Sequence, residues 1–274
     1  MNAKIESTCD RFDQAEAKLK SFTRSAVRTK IMLCLMSGEK DAGELEEAMC
    51  LRASTILHSI KEMIDAGLIV KAARGYALTN IGRIEARLLD NLVSTIVALD
   101  QHRDFWLTHD LSGIPTDLQM KIGMLAQSER ITADSSSPLR SLENFMSELA
   151  KSNEIRGFSP IIVSGFQELI ADGVMRGSQI DLILTDSILN ILAEKDREIL
   201  RQLQKSENFR LYHIDIDARV AFTVTESLIA LGLFRIKEGV DLTSELICYG
   251  ENATKWGKML FEHYRSMSEP ANNI

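Results

Sequence analysis

Apolar positions recur at helical spacing through the first hundred residues. Between Ser25 and Met36, Val27, Ile31, Cys34 and Leu35 fall three or four apart and predict a helix with one buried stripe. Ser37-Gly38-Glu39-Lys40 reads as a turn, and Asp41 as the N-cap of a helix containing Glu44 to Met49. A third helix starts near Arg52. Ile56, Ile60 and Ile64 mark its inner side, and Gly67 supplies the left-handed residue at which it stops. Val70 to Thr79 then reads as a short hairpin reversing at Gly75. From Ile81 to Gln101 a long helix carries Ile84, Leu88, Leu92, Ile96 and Leu99 in one apolar stripe, suited to packing on a second domain, to a dimerising seam, or to both. Residues 1–20 alternate charged and small residues and predict a helix or frayed arm.

Beyond about His102 the pattern changes. Ile155 to Phe158, Ile180 to Leu184, Phe209 to Ile214, Val220 to Val224 and Leu228 to Arg235 read as strands. Ser141 to Lys151, Val163 to Met175, Asp186 to Gln204 and Ala253 to Arg265 read as helices, and Ser135-Ser136-Ser137-Pro138 as the most obvious loop. The fold class expected is α+β. A winged helix-turn-helix over 21–80 is joined by the 81–101 helix to an α/β domain over 102–274.

That order of elements is how a chain sets a helix into the major groove of double-stranded DNA with a basic wing beside it. Ser54 and Thr55, at the start of the third helix, can hydrogen-bond phosphate oxygens, helped by free backbone N–H groups; capping the helix is the alternative. His58, one turn on, is placed to reach a base edge, with Ser59 beside it. Arg52 and Lys61 add phosphate contacts, and Arg74, with Lys71 alongside, is suited to the minor groove or a phosphate. Tyr76 is expected to pack at the base of the wing.

Net charge is −7, which taken alone argues against a polyanionic partner. The distribution reverses that. Residues 1–80 hold 12 Lys or Arg against 11 Asp or Glu, and between Leu51 and Arg83 there are five basic residues against two acidic, so the acidic excess lies beyond residue 80. The four cysteines, Cys9, Cys34, Cys50 and Cys248, form no Cys-x-x-Cys pair, and neither a zinc nor a disulfide framework follows. No apolar run approaches the roughly 20 residues of a membrane span, and Met1 to Glu6 lacks a signal-peptide core, so a cytoplasmic location away from membranes is expected.

The second domain offers His109-Asp110, Ser112, Ser159, His213, Asp215 and Asp217, but adjacent His and Asp do not face each other, and no Gly-x-Ser-x-Gly elbow, Walker A loop or dinucleotide fingerprint is present. Neither catalytic residues nor a metal or cofactor site are assigned. His109, Asp110, Ser112, Ser159, Ser164 and Arg235 are polar groups among apolar sheet positions, and are the candidates for lining an effector pocket.

Ile60 to Gly82 resembles the winged helices of ArsR-like and MarR-like regulators. Two further stretches narrow the likeness. Phe105-Trp106-Leu107-Thr108-His109-Asp110-Leu111-Ser112-Gly113-Ile114-Pro115 is one. The other is Ala230-Leu231-Gly232-Leu233-Phe234 followed by Ala253-x-x-Trp256-Gly257-x-x-Leu260-Phe261-x-x-Tyr264-Arg265. Both resemble signatures of a regulator family found mainly in methanogenic archaea. The resemblance runs from about Ser21 to Arg265 and implies a dimeric transcription regulator of methanogenesis genes; the size of the second domain, joined through one continuous helix, points to a small-molecule or protein effector there. The competing readings are an enzyme with a vestigial winged helix and a winged-helix protein-interaction module.

Overall fold

The computed structural model describes residues 7–132, 140–163, 165–237, 239–241 and 244–271, and the chain divides into two compact units, 1–93 and 94–274. The first unit holds α1 (Thr8–Thr23), α2 (Ala26–Leu35), α3 (Ala42–Met49), α4 (Ala53–Asp65), the hairpin strands β1 (Ile69–Ala72) and β2 (Gly75–Leu78), and most of α5 (Asn80–Gln101). Ser25 accepts the Arg28 N–H at the start of α2, and Asp41 and Glu44 form a reciprocal capping box at the start of α3. Gly67, at φ 71°, closes α4, with the Leu68 N–H on the Met63 carbonyl at 2.9 Å. The core joins Ile31, Met32 and Leu35 of α2, Leu45 and Met49 of α3, Ile56, Ile60 and Met63 of α4, and Ala86 and Leu89 of α5.

The wing differs from the expectation in one respect. Ala72 pairs with Gly75, so Ala73 and Arg74 make the reversal. Gly75 serves a close approach instead: Lys40 exchanges both backbone hydrogen bonds with Tyr76, and a Cβ on Gly75 would lie 2.3 Å from the Lys40 carbonyl oxygen.

The second unit continues with α6 (Arg103–Thr108), α7 (Thr116–Gln119), a 3-10 turn (Ile122–Leu125), β3 (Ser128–Thr132), α8 (Arg140–Leu149), β4 (Glu154–Ser159), α9 (Phe166–Arg176), β5 (Gln179–Thr185), α10 (Asp186–Lys195) and α11 (Arg197–Gln204). Then come β6 (Phe209–Ile214), β7 (Val220–Thr225), β8 (Leu228–Arg235), β9 (Gly239–Val240), β10 (Ser244–Tyr249), α12 (Gly250–Met267) and β11 (Glu269–Pro270). The strands form one mixed sheet in the order β11-β6-β5-β4-β7-β8-β10-β3, with β9 on β8; β4, β5 and β6 run parallel and the other pairs antiparallel.

Helix α12 covers one sheet face, packing Trp256, Leu260, Phe261 and Tyr264 with Phe158, Phe222, Val224, Ile229 and Leu231. Helices α8 to α11 cover the other. The two signature stretches of the sequence meet here. The Tyr264 hydroxyl donates to the Gly113 carbonyl at 2.6 Å, and the Trp256 indole N–H donates to the Leu118 carbonyl at 3.0 Å. A Cβ on Gly257 would lie 2.7 Å from Val224 Cγ2, so only glycine lets α12 approach the sheet at this point. The helix expected from Asp186 to Gln204 breaks at Asp196, whose φ of −132° leaves the helical region. Strands β3 and β10 were not anticipated, and the loop expected at Ser135 to Pro138 lies outside the described residues.

Candidate nucleic-acid interface

Helix α4 is amphipathic, and its inward stripe decides which side chains remain outside. Ile56, Ile60 and Met63 are buried in the helical core. Outside lie Arg52, Ser54, Thr55, His58 and Lys61, all exposed, with the His58 side chain 76% accessible. Ser59 is a correction. Expected beside His58, it falls between Ile56 and Met63 on the inward face and is 7% exposed, out of reach of an external ligand. Leu57, not among the expected contacts, is exposed next to His58 and adds an apolar group to this face. Its signal was legible: Leu57 is the one leucine of α4 off the 56-60-63 stripe.

The start of α4 is less open than expected. Arg52 occupies the N-cap without a side-chain cap bond, and the Ala53 N–H donates to Glu46 Oε1 at 3.2 Å, so a carboxylate already sits on part of the helix dipole. Neither the Ser54 nor the Thr55 hydroxyl has a hydrogen-bond partner among the described residues, and the capping alternative is therefore not realised. Glu62, the acidic residue of this helix nearest His58, is held by the Arg28 guanidinium and lies 3.7 Å from His58 Nε2. That pairing offsets a charge that would otherwise repel phosphate.

On the wing, Lys71 and Arg74 are exposed, and Tyr76 is half-buried against the core. The Arg74 backbone N–H donates to Glu39 Oε2 at 3.3 Å, which ties the tip to the turn before α3. The Arg74 backbone is tied while its guanidinium is exposed to solvent.

Of the described residues proposed for an effector pocket, Ser159 lines a cavity, and His109 and Arg235 reach the same cavity only through Asp241. His109 and Arg235 meet through Asp241: His109 Nε2 is 3.2 Å and Arg235 Nε 2.9 Å from Asp241 Oδ2, with the imidazole and carboxylate fully buried. The His109 ring stacks on Phe105 at 4.2 Å and its Nδ1 lies 2.8 Å from the Phe105 carbonyl, so it clamps α6 to the end of β8. Asp110 and Ser112 form a local turn, Ser112 N–H to Asp110 Oδ1 at 2.8 Å, and that backbone hydrogen bond holds the Asp110 carboxyl below its usual range. Ser159 lines a cavity between the sheet and the helices α8 to α10. Ser164 lies outside the described residues.

His213 Nδ1 is 2.8 Å from Asp186 Oδ1, while Asp217 pairs with Arg219; the described residues contain no group of three or more His, Cys, Asp or Glu placed to hold a metal ion. Cys248 is buried, and that burial pushes its thiol up to about 12, far from a reactive thiolate. No helix among the described residues is long and apolar enough to cross a membrane.

Helix α5 presents a different surface. Ala86, Leu89 and Ala98 are buried, yet Ile81, Ile84, Leu88, Leu92, Val93, Ile96, Val97 and Leu99 are exposed.

A helical unit in which α4 turns a polar face outward, a basic two-stranded wing, and a separate mixed-sheet unit define a winged-helix protein with an appended α/β domain. Residues 16–97 match the family model of the methanogenesis regulatory protein FilR1, N-terminal domain, and residues 138–267 match its middle domain. The chain belongs to this FilR1 family. It is 36% identical over 256 residues to the methanogenesis regulatory protein FilR1 of Methanothrix harundinacea (strain 6Ac), an alignment covering 92% of this chain and 57% of that protein. The chain therefore spans little more than half the length of that relative. Among solved structures, TrmBL2, an archaeal chromatin protein reported with a novel mode of DNA binding, aligns at TM-score 0.42 and 14% identity, over 96% of this chain and all of that one. Polyphosphate kinase from Porphyromonas gingivalis aligns at TM-score 0.33 and 12% identity, over 57% of this chain and 27% of that one. A methyltransferase from Nostoc punctiforme aligns at 0.26 and 12%, over 74% and 65%. No functional reading rests on these partial likenesses.

Proposed function

We propose that the chain is a sequence-specific, double-stranded-DNA-binding transcription regulator of methanogenesis genes that acts as a homodimer. In this reading residues 21–80 bind DNA, 81–101 connect and dimerise, and 102–274 are the regulatory domain that takes a small-molecule or protein effector. The observation that carries it is the outer face of α4: two exposed hydroxyls without a partner among the described residues, an exposed imidazole and the cations Arg52 and Lys61, with the exposed Arg74 on the wing of the same unit. Hydroxyls and cations supply phosphate contacts that set register, and His58 with Leu57 supplies base-edge discrimination. Family membership supports the regulatory role, since the Methanothrix relative carries that name.

The dimer is supported by α5. A contiguous apolar row of this length is more than a monomer ordinarily leaves in water. A second copy of the same helix buries it on both sides at once, as two-fold interfaces do. A single winged helix covers only about 600–1,000 Å² of DNA, and two copies bring the interface into the usual range for specific sites. The test is genomic selection of bound duplex followed by titration of the winning fragment. Two half-sites separated by about one helical turn or a multiple are expected. A single unpaired half-site, or no enrichment, would contradict the proposal.

A further inference from the structure

The two faces of the large sheet are packed by opposite rules. Towards α12, strands β4, β7 and β8 present Phe158, Phe222, Val224, Leu231 and Leu233. On the other face the same strands present Gly157, Ala221, Thr223, Ala230 and Gly232, neighbours across the register pairs Gly157–Thr223, Ala221–Gly232 and Thr223–Ala230. Small residues at the centre of a sheet leave space under the covering helices. That space is a cavity of about 150 Å³. Its walls are mostly hydrocarbon, from Phe145, Phe166, Leu182, Leu184, Ile188 and Leu192, with Ser159, Gln167, Thr223 and Ser244 among them. It lies at the carboxyl ends of the parallel strands β4 and β5, beside the point where β4 turns from a parallel to an antiparallel neighbour, the place where α/β sheets take ligands.

Into this hydrocarbon cavity projects Glu245 of β10. It shares its sheet face with Ile247, which packs among the helices α8 to α11. Its carboxyl has no hydrogen-bond or ionic partner among the described residues, and burial pushes it up to about 7. Asp241, the other acid of the lining, is already engaged by His109 and Arg235. Among the described residues no Lys or Arg lines the cavity, and its only charged groups are acidic.

We propose that this cavity binds a small apolar cation, an amine on a ring-sized hydrocarbon body, with Glu245 as its counter-ion. The size follows from volume, since a hydrocarbon cavity of about 150 Å³ takes a benzene-sized body. The charge follows from a half-buried carboxyl lining the cavity with no partner among the described residues, for which an ammonium supplies both countercharge and donors. Calling the occupant an effector rests on the regulator reading; the binding itself does not.

The test uses the full chain without DNA at about pH 8, with benzylamine as probe and toluene and phenylacetate as its neutral and anionic counterparts, read by calorimetry and by melting temperature. Saturable benzylamine binding at least about tenfold tighter than toluene is expected, with phenylacetate silent. Glu245→Gln, which keeps shape, should erase the difference between benzylamine and toluene. Ala221→Leu, which fills the cavity, should abolish both while melting no lower than the parent. Benzylamine binding indifferent to both variants, phenylacetate binding as well as benzylamine, or no saturable benzylamine binding at millimolar concentration each overturns the proposal. Cavity binding by a chain that binds no DNA would remove the regulator reading and leave this site standing.

Discussion

Helices α4 and α5 sit in sequence on either side of one wing, and they finish their packing in opposite ways. Helix α4 sinks every large apolar residue but Leu57 and half-buried Ile64 into the core and shows water a polar, cationic face. Helix α5 sinks two alanines and Leu89 and shows water eight large apolar side chains. An exposed polar face is stable as it stands, and its content says what it can bind. An exposed apolar row costs free energy until something covers it. Two consecutive helices thus carry two kinds of surface, one polar and cationic, the other a hydrocarbon row. The second unit adds a third case, with its unsatisfied group inside the fold at Glu245.

The largest expected effect breaks the α5 side of this comparison. Leu88→Asp with Leu92→Asp removes four leucines from a two-fold seam, each worth about 1.5–3 kcal/mol when buried. The chain should sediment as a monomer at micromolar concentration, while the parent sediments as a dimer. A monomeric parent would remove the seam altogether.

Next come the two sides of α4. Ile60→Ala empties a fully buried position and should cost about 2–5 kcal/mol in unfolding of the first unit. His58→Ala, two residues away on the outside, should leave stability within about 0.5 kcal/mol. A large stability loss at His58 would mean that the outer face is structural after all.

Interior chemistry gives a pH signature. With its folded value near 7, above the ordinary 4.5, the Glu245 carboxyl holds its proton more firmly in the folded chain than in the unfolded one. Its burden on stability is therefore absent below about pH 4.5, grows as pH rises through about 7, and is complete above that at roughly 3 kcal/mol. Glu245→Gln should stabilise the second unit by about that amount at pH 8 and by almost nothing at pH 4. Equal effects at both values, read by denaturant titration, would mean the carboxyl is solvated.

How much of this was legible in the sequence depends on whether polarity and burial agree. Helix α4, its Gly67 stop and the wing were readable because hydrophobic period, turn residue and burial coincide. Ser59 misled because a small hydroxyl is tolerated between packed helices, so its polarity says nothing about its side. Strands β3 and β10 were missed because Ser128, Glu129, Arg130 and Glu245 break the apolar run that marked the other strands. Glu245 reads as the solvent side of a half-exposed strand, and only the helices packed over that face reverse the inference. That Asp110 and Ser112 close a turn on each other while Ser159 lines a cavity is a tertiary fact that no local pattern holds.

The smaller effects belong to DNA. His58→Ala should cost about 1–3 kcal/mol on the selected site and little on random duplex, as loss of a base contact does. Arg74→Ala should weaken both equally and flatten the salt dependence by up to about one unit of log–log slope. An unchanged slope would take the wing off the DNA.

The central claim is that α4 reads sequence, and fluorescence anisotropy decides it most directly. The full chain is titrated on the selected genomic fragment and on a random duplex of equal length, from about 50 to about 200 mM salt. The account predicts a steep salt dependence on both, with the selected fragment bound at least about 10³ tighter. Equal affinity for the two duplexes, or no binding to either at the lowest salt, would contradict it.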